Sequence, residues 1–98
     1  MRLEYKKEQL KDGSKTIANI KGTALRTGTG STTLCNISGD NVRKGTGSTT
    51  LCNVKNGDIR DKTGSSRKAR VRDIKKQIRG AQSLSDVFIA AIWQTFLR

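Results

Sequence analysis

The stretch GTGSTTLCN, Gly28 to Asn36, returns letter for letter at Gly45 to Asn53. An exact return at so short an offset suits one supersecondary unit, so the repeat is read as a structural period and not as a ligand loop used twice. Extended in both directions it gives four blocks of equal length. They are SKTIANIKGTALRTGTG (14–30), STTLCNISGDNVRKGTG (31–47), STTLCNVKNGDIRDKTG (48–64) and SSRKARVRDIKKQIRGA (65–81). The first three agree throughout, whereas the fourth keeps its first half and then departs.

Within a block the fifth residue is small and the seventh branched and apolar: Ala18 and Ile20, Cys35 and Ile37, Cys52 and Val54, Ala69 and Val71. Period two marks a strand with one buried face. Next come Gly22-Thr23, Gly39-Asp40 or Asn56-Gly57, pairs suited to the primed turns of two-residue hairpins. Counting outward from each turn places Lys21 opposite Ala24, Ser38 opposite Asn41 and Lys55 opposite Asp58. The next pairs are Ile20 with Leu25, Ile37 with Val42 and Val54 with Ile59. Each block is therefore predicted to be a β-hairpin, and GTG or KTG the turn into the next.

A single hairpin is marginal in water, so the copies must share a core. The fourth block lacks a return strand after Val71, while Leu10-Lys11-Asp12-Gly13-Ser14 resembles the return strand of the third. The sequence thus predicts a mainly β fold of four hairpin repeats in a quasi-fourfold closed arrangement, with a strand from residues 5–13 completing the fourth unit. In period, in copy number and in the pattern apolar-x-Asn-apolar-x-Gly followed by apolar-Arg, residues 5–72 resemble the small proteins called four-fold β-flowers. That resemblance implies four short hairpins around a pseudo-fourfold axis and no particular activity.

A chain of 98 residues suits one domain. A domain of this size buries roughly 60% of its unfolded surface or a little more, so any site is expected on the surface. Twenty Lys and Arg against eight Asp and Glu give a net charge of +12. Such an excess points to nucleic acid, anionic lipid or an acidic protein face. No apolar run approaches a membrane span and the first residues do not resemble a signal peptide, so a cytoplasmic protein is expected. Histidine is absent and the carboxylates are scattered. No metal site and no catalytic constellation can therefore be named. GTGST lacks the lysine and spacing of a phosphate-binding loop. The reading is a protein that is not an enzyme and needs no cofactor. Cys35 and Cys52 stand where other copies carry Ala18 and Ala69, which predicts small, inert core thiols. A bridge between them is conceivable if adjacent copies converge on the axis.

The candidate polyanion contacts fall in two groups. The denser is Arg67, Lys68, Arg70, Arg72, Lys75, Lys76 and Arg79, a run opposed only by Asp73. A short helix is expected there, with Asp73 as N-cap, Ile74 and Ile78 on one side, and Gly80 ending it. The second group recurs with the repeat: Arg26, Arg43 and Arg60, with Lys11 as candidate fourth member. Asn19, Asn36 and Asn53 share their face, either to donate to a ligand or to bond neighbouring backbone. With few aromatics outside the C-terminal segment, phosphate contact is favoured over base stacking.

Ile17, Leu34 and Leu51 alternate with the core positions and form a second apolar patch that needs a cover. Ser83-Leu84-Ser85-Asp86 has the form of a capping box before VFIAAIWQTFLR, whose apolar residues wrap nearly all sides of a helix. Residues 83–98 are accordingly expected to form a helix docked on a repeat domain of residues 1–82. Val87, Phe88, Ile92, Trp93 and Phe96 are its candidate partner or oligomer contacts. The function expected is phosphate-type binding of nucleic acid or another polyanion. The alternative is an assembly module that forms a homo-oligomer or docks an acidic protein through this helix, and a membrane surface ranks third.

Overall fold

The computed structural model describes residues 2–98. Four hairpins follow one another: β1 (Leu3–Lys6) with β2 (Gln9–Asp12), β3 (Lys15–Lys21) with β4 (Ala24–Thr27), β5 (Thr33–Ser38) with β6 (Asn41–Lys44), and β7 (Thr50–Lys55) with β8 (Asp58–Asp61). Then come β9 (Arg67–Arg70), α1 (Val71–Lys75), β10 (Ile78–Arg79) and α2 (Asp86–Ile92), which runs on through a wider π turn at Trp93–Leu97. The register within β3–β4, β5–β6 and β7–β8 is the one counted from the turns, with Ile20 opposite Leu25, Ile37 opposite Val42 and Val54 opposite Ile59. Gly22 and Gly39 take φ of 60° and 58°, and Asn56 and Gly57 take 53° and 80°. These are the positive values that primed turns demand.

The strands form one ten-stranded sheet in the order β10-β1-β2-β3-β4-β5-β6-β7-β8-β9. It is not closed, which corrects the closed arrangement predicted from the repeats. The N-terminal segment does not supply the return strand of the fourth block. It folds on itself through a turn at Lys7 and Glu8, pairs β2 with β3, and sits at the far end of the sheet from β9. The outer edge of β1 pairs in parallel with β10, Leu3 opposite Ile78 and Glu4 opposite Arg79.

Flat, ten strands would span about 43 Å, nine intervals of about 4.8 Å. The largest extent of the molecule is 36 Å, and the five-residue α1 touches both β9 and β10, the two ends of the sheet. The sheet must therefore curl strongly, leaving a seam that α1 bridges. A β-bulge recurs at the three junctions between hairpins, at Leu10/Lys11, Leu25/Arg26 and Val42/Arg43, and again where β8 meets β9, at Ile59/Arg60. Bulges of this kind bend a sheet.

The concave face holds the core, with Leu10, Ala18, Leu25, Cys35, Val42, Cys52 and Ile59 fully buried and no buried polar or charged residue among the described residues. Helix α2 enters this face against β5, β6, β7 and α1. Its residues Ile89, Ala90, Ala91 and Ile92 are buried on every side. Apolarity all round a helix requires such burial. The helix was expected to cover the patch of Ile17, Leu34 and Leu51. It seals the core face instead, because the alternating Cys35 and Cys52 present their thiols there, Cys35 Sγ 3.9 Å from Thr95 Oγ1 and Cys52 Sγ 4.0 Å from the Ala90 carbonyl. Leu34 and Leu51 stay half-buried outside the core cluster. The helix cap is Ser85, whose Oγ accepts from the Phe88 N–H. The cap thus falls later than Ser83, the start of the expected capping box. Among the described residues no helix is long and apolar enough to cross a membrane.

Candidate polyanion-binding surface

The segment of highest charge forms the seam. Arg67 and Lys68 on β9, Arg72 on α1, Lys76 in the turn after it, and Arg79 on β10 are exposed; Arg70 and Lys75 are partly covered. The helix starts at Val71, before the expected cap at Asp73, and ends at Lys75, short of Gly80. The reason is that Val71 and Ile74 reach the core as one helical turn, while Ile78 reaches it as the first residue of β10. Packing therefore cuts the helix short and turns the chain back alongside β1. The seven cations predicted from sequence thus lie together, wrapped around the one gap in the sheet.

Two clefts flank α1. One, of about 370 Å³, lies beside the β7–β8 turn and is lined by Arg67, Arg70, Arg72 and Lys75 together with Asp58 and Asp86. The other, of about 970 Å³, lies beside β1, with Arg2, Lys75, Lys76 and Arg79 on its walls. Lys75 serves both. The acidic residues neutralise little: Arg67 lies 3.8 Å from Asp58 and Lys75 lies 4.0 Å from Asp86. Ion pairs so long and so open to solvent are of small energy. Among the described residues Lys68, Arg70, Arg72, Lys76 and Arg79 form no ion pair. Sequence reading missed Arg2, because its place beside the seam depends on the parallel β1–β10 pairing, which leaves no local signal.

The repeated cations occupy a second surface continuous with the first. Lys11, Arg26, Arg43 and Arg60 lie on β2, β4, β6 and β8, one position beyond the buried Leu10, Leu25, Val42 and Ile59. By strand alternation they face outward. Arg60 is the cross-strand partner of Arg67, where the row meets the seam. Opposite three of these cations stand Asn19, Asn36 and Asn53. Their amides are engaged within the protein. Asn19 Nδ2 donates to the carbonyls of Gly28 (2.8 Å) and Gly30 (3.1 Å), Asn36 Nδ2 to Gly45 (2.7 Å) and Gly47 (3.1 Å), and Asn53 Nδ2 to Lys62 (2.7 Å) and Gly64 (3.2 Å). These are staples across the hairpin junctions, so of the two roles weighed for them the backbone role holds. The arginines differ. Nε of Arg26, Arg43 and Arg60 is shielded from solvent without a hydrogen-bond partner, and none of the three forms an ion pair among the described residues.

The helix residues expected to meet a partner are largely used inside the chain. Ile92 is fully buried and Trp93 is 8% exposed, while Val87, Phe88 and Phe96 are half-buried against the core. The Arg98 guanidinium, which sequence reading passed over, holds the helix end: 2.7 Å from Asp61 Oδ1 and 5.0 Å from the centre of the Trp93 ring. That contact lowers the pKa of the Asp61 carboxyl. Cys35 and Cys52 are free, and β6 lies between their strands. Two strand intervals amount to about 9.5 Å, which no disulfide spans. Burial pushes the Cys52 thiol up to about 12, against the lowering pull of Arg98, and raises that of Cys35. No protein family, no curated protein and no solved structure matches the chain.

Proposed function

We propose that this protein is a non-enzymatic nucleic-acid-binding protein that grips phosphates with the cationic seam β9–α1–β10. The observation that carries this reading is the gathering of seven cations around one gap in the sheet, five of them without a carboxylate partner among the described residues. Repulsion among such charges costs stability, and a bound polyanion relieves it. Arg and Lys donors of this kind contact phosphate oxygens without reading bases. The recurring hairpin register also supports reading the sheet as tandem copies of one unit, as the β-flower resemblance implies.

Purified protein should carry nucleic acid that a high-salt wash removes, read from the absorbance ratio at about 260 and 280 nm. Its affinity should fall on the order of 10²–10³-fold between about 50 and 200 mM salt if five or so phosphates are neutralised. Binding indifferent to salt over that range would overturn the reading. Retention of an acidic protein in place of nucleic acid would move it to the other partner class.

A further inference from the structure

The three arginines of the convex face present a repeated anomaly. Their Nε atoms are shielded from water and unpaired at the same place in three successive copies. A desolvated, uncompensated donor on a charged group lowers stability, and native structures hold few of them. Copying the cost three times is unexplained by the fold. The cross-strand asparagines turn their amides to the junction carbonyls, and no carboxylate among the described residues lies within ion-pair distance. A charge held half out of water interacts more strongly with an opposite charge than one fully exposed. These guanidiniums are thus suited to an anion supplied from outside.

The arrangement states the shape of that anion. Lys11, Arg26, Arg43 and Arg60 recur on every second strand. At the usual strand spacing, successive cations are about 9.5 Å apart and the row runs about 29 Å along the sheet. Arg60 hands the row to Arg67 on the seam. A single small anion would engage one member and leave the rest unpaired. The surface is also convex, because the sheet curls around α2 and brings both its ends to α1. A stiff duplex, with a persistence length of about 150 base pairs, meets a convex surface along a short contact, whereas a flexible strand can follow it.

The geometry points to a track for single-stranded nucleic acid, which leaves the seam at Arg67 and wraps across the hairpins over Arg60, Arg43, Arg26 and Lys11. It rests on the reading of the seam as a nucleic-acid site and adds to it strandedness, length and path. Even at the fully stacked rise of about 3.4 Å per nucleotide the track accommodates no more than about nine nucleotides. Contact is with phosphates, so the binding is independent of base sequence.

The test uses the full chain and fluorescein-labelled oligothymidylates of about 4 to 16 nucleotides, a span typical of single-strand binding sites. Duplexes of the same lengths serve for comparison, with anisotropy as readout. Affinity for the single strand is expected to rise up to about nine nucleotides and then level off, and to exceed that for the duplex at equal length. In the variant R26Q/R43Q/R60Q the slope of log affinity against log salt should shrink by about 2, three contacts at about 0.7 each. The variant R26K/R43K/R60K should restore most of it. The glutamine variant should unfold at a urea concentration no lower than wild type, because three buried unpaired donors have gone. Should it fold poorly, Arg43→Gln alone carries the same test with a slope change of about 0.7. A wild type that binds steeply with salt but prefers duplex, or a glutamine variant with an unchanged slope, overturns the track and leaves the seam standing. A wild type that binds neither form overturns both.

Discussion

The third and fourth copies of the repeat lie side by side in the sheet and have diverged in an ordered way. Cys52 and Val54 on β7 correspond to Ala69 on β9 and Val71 at the start of α1, and the core accepts both sets. Leu51 and Asn53 correspond to Lys68 and Arg70. The turn residues Asn56 and Gly57 correspond to Asp73 and Ile74. Asn56 and Gly57 sit at φ of 53° and 80°. A β-branched Ile adopts such angles only at high cost, so the fourth copy cannot form the hairpin turn. The chain enters a helical turn instead, and Ile74 is buried. Without a return strand there is no junction to staple, so the position of Asn53 is released from structural duty. A repeat can thus give up its turn at one end of a sheet, and cations then take the positions this frees.

Hairpin and seam should diverge most at their glycines. Gly57 and Gly80 share a φ of 80°, but a Cβ on Gly57 meets open space while one on Gly80 would collide with the Tyr5 carbonyl oxygen, where β10 lies against β1. Gly80→Ala should therefore cost upwards of about 3 kcal/mol and Gly57→Ala about 1 kcal/mol. Urea unfolding of the two variants measures the gap. Equal losses would mean that the seam is not held by the β1–β10 pairing. A smaller difference is expected between Asn53 and Arg70. Asn53 Nδ2 donates two hydrogen bonds, to the Lys62 and Gly64 carbonyls. Asn53→Ala should cost about 2 kcal/mol, whereas Arg70→Ala should change stability by less than about 0.5 kcal/mol. An Arg70→Ala loss as large as that of Asn53→Ala would show that the seam cation is structural.

What the sequence disclosed divides along the same line. Hairpins two to four of the structure were legible down to register, because glycine or asparagine marked each turn and small-then-branched pairs marked each buried face. Hairpin one was not, because its turn uses Lys7 and Glu8 at φ of 51° and 64°, residues that carry no turn signal, so the segment was read as a strand in search of a partner. The two-residue β10 has no periodicity to detect, and its parallel pairing with β1 is a product of tertiary packing. The all-round burial of α2 followed from its composition, but the face it covers did not. That depended on which side of the sheet is concave, a consequence of the recurring bulges. Of the candidate site, the cationic seam and the arginine row were visible as charge and as period. The engagement of the asparagines and the stranding of three Nε atoms emerge only once the hairpins pack against one another.

The mildest difference lies between Cys52 and Ala69, equivalent residues of which one carries a buried thiol. Alanine is tolerated at this position in two copies, so the double variant C35A/C52A should fold and lose about 1 kcal/mol per site near neutral pH, the cost of a small cavity. The thiols also carry a pH signature. Burial holds the Cys52 thiol at about 12 in the folded protein, against an ordinary value near 9.0 in the unfolded chain. Above pH 9 the unfolded chain releases this proton and the folded one retains it, so rising pH favours unfolding. The contribution is complete below about pH 9 and is lost progressively toward pH 12. Cys35, raised by burial as well, acts in the same direction. Every other ionisable group is common to both proteins, so the difference between wild type and variant isolates the thiols. Urea midpoints taken from about pH 8 to pH 10 should converge as pH rises. A constant gap across that range would mean that the thiols ionise within the folded protein, and that water reaches them beneath α2.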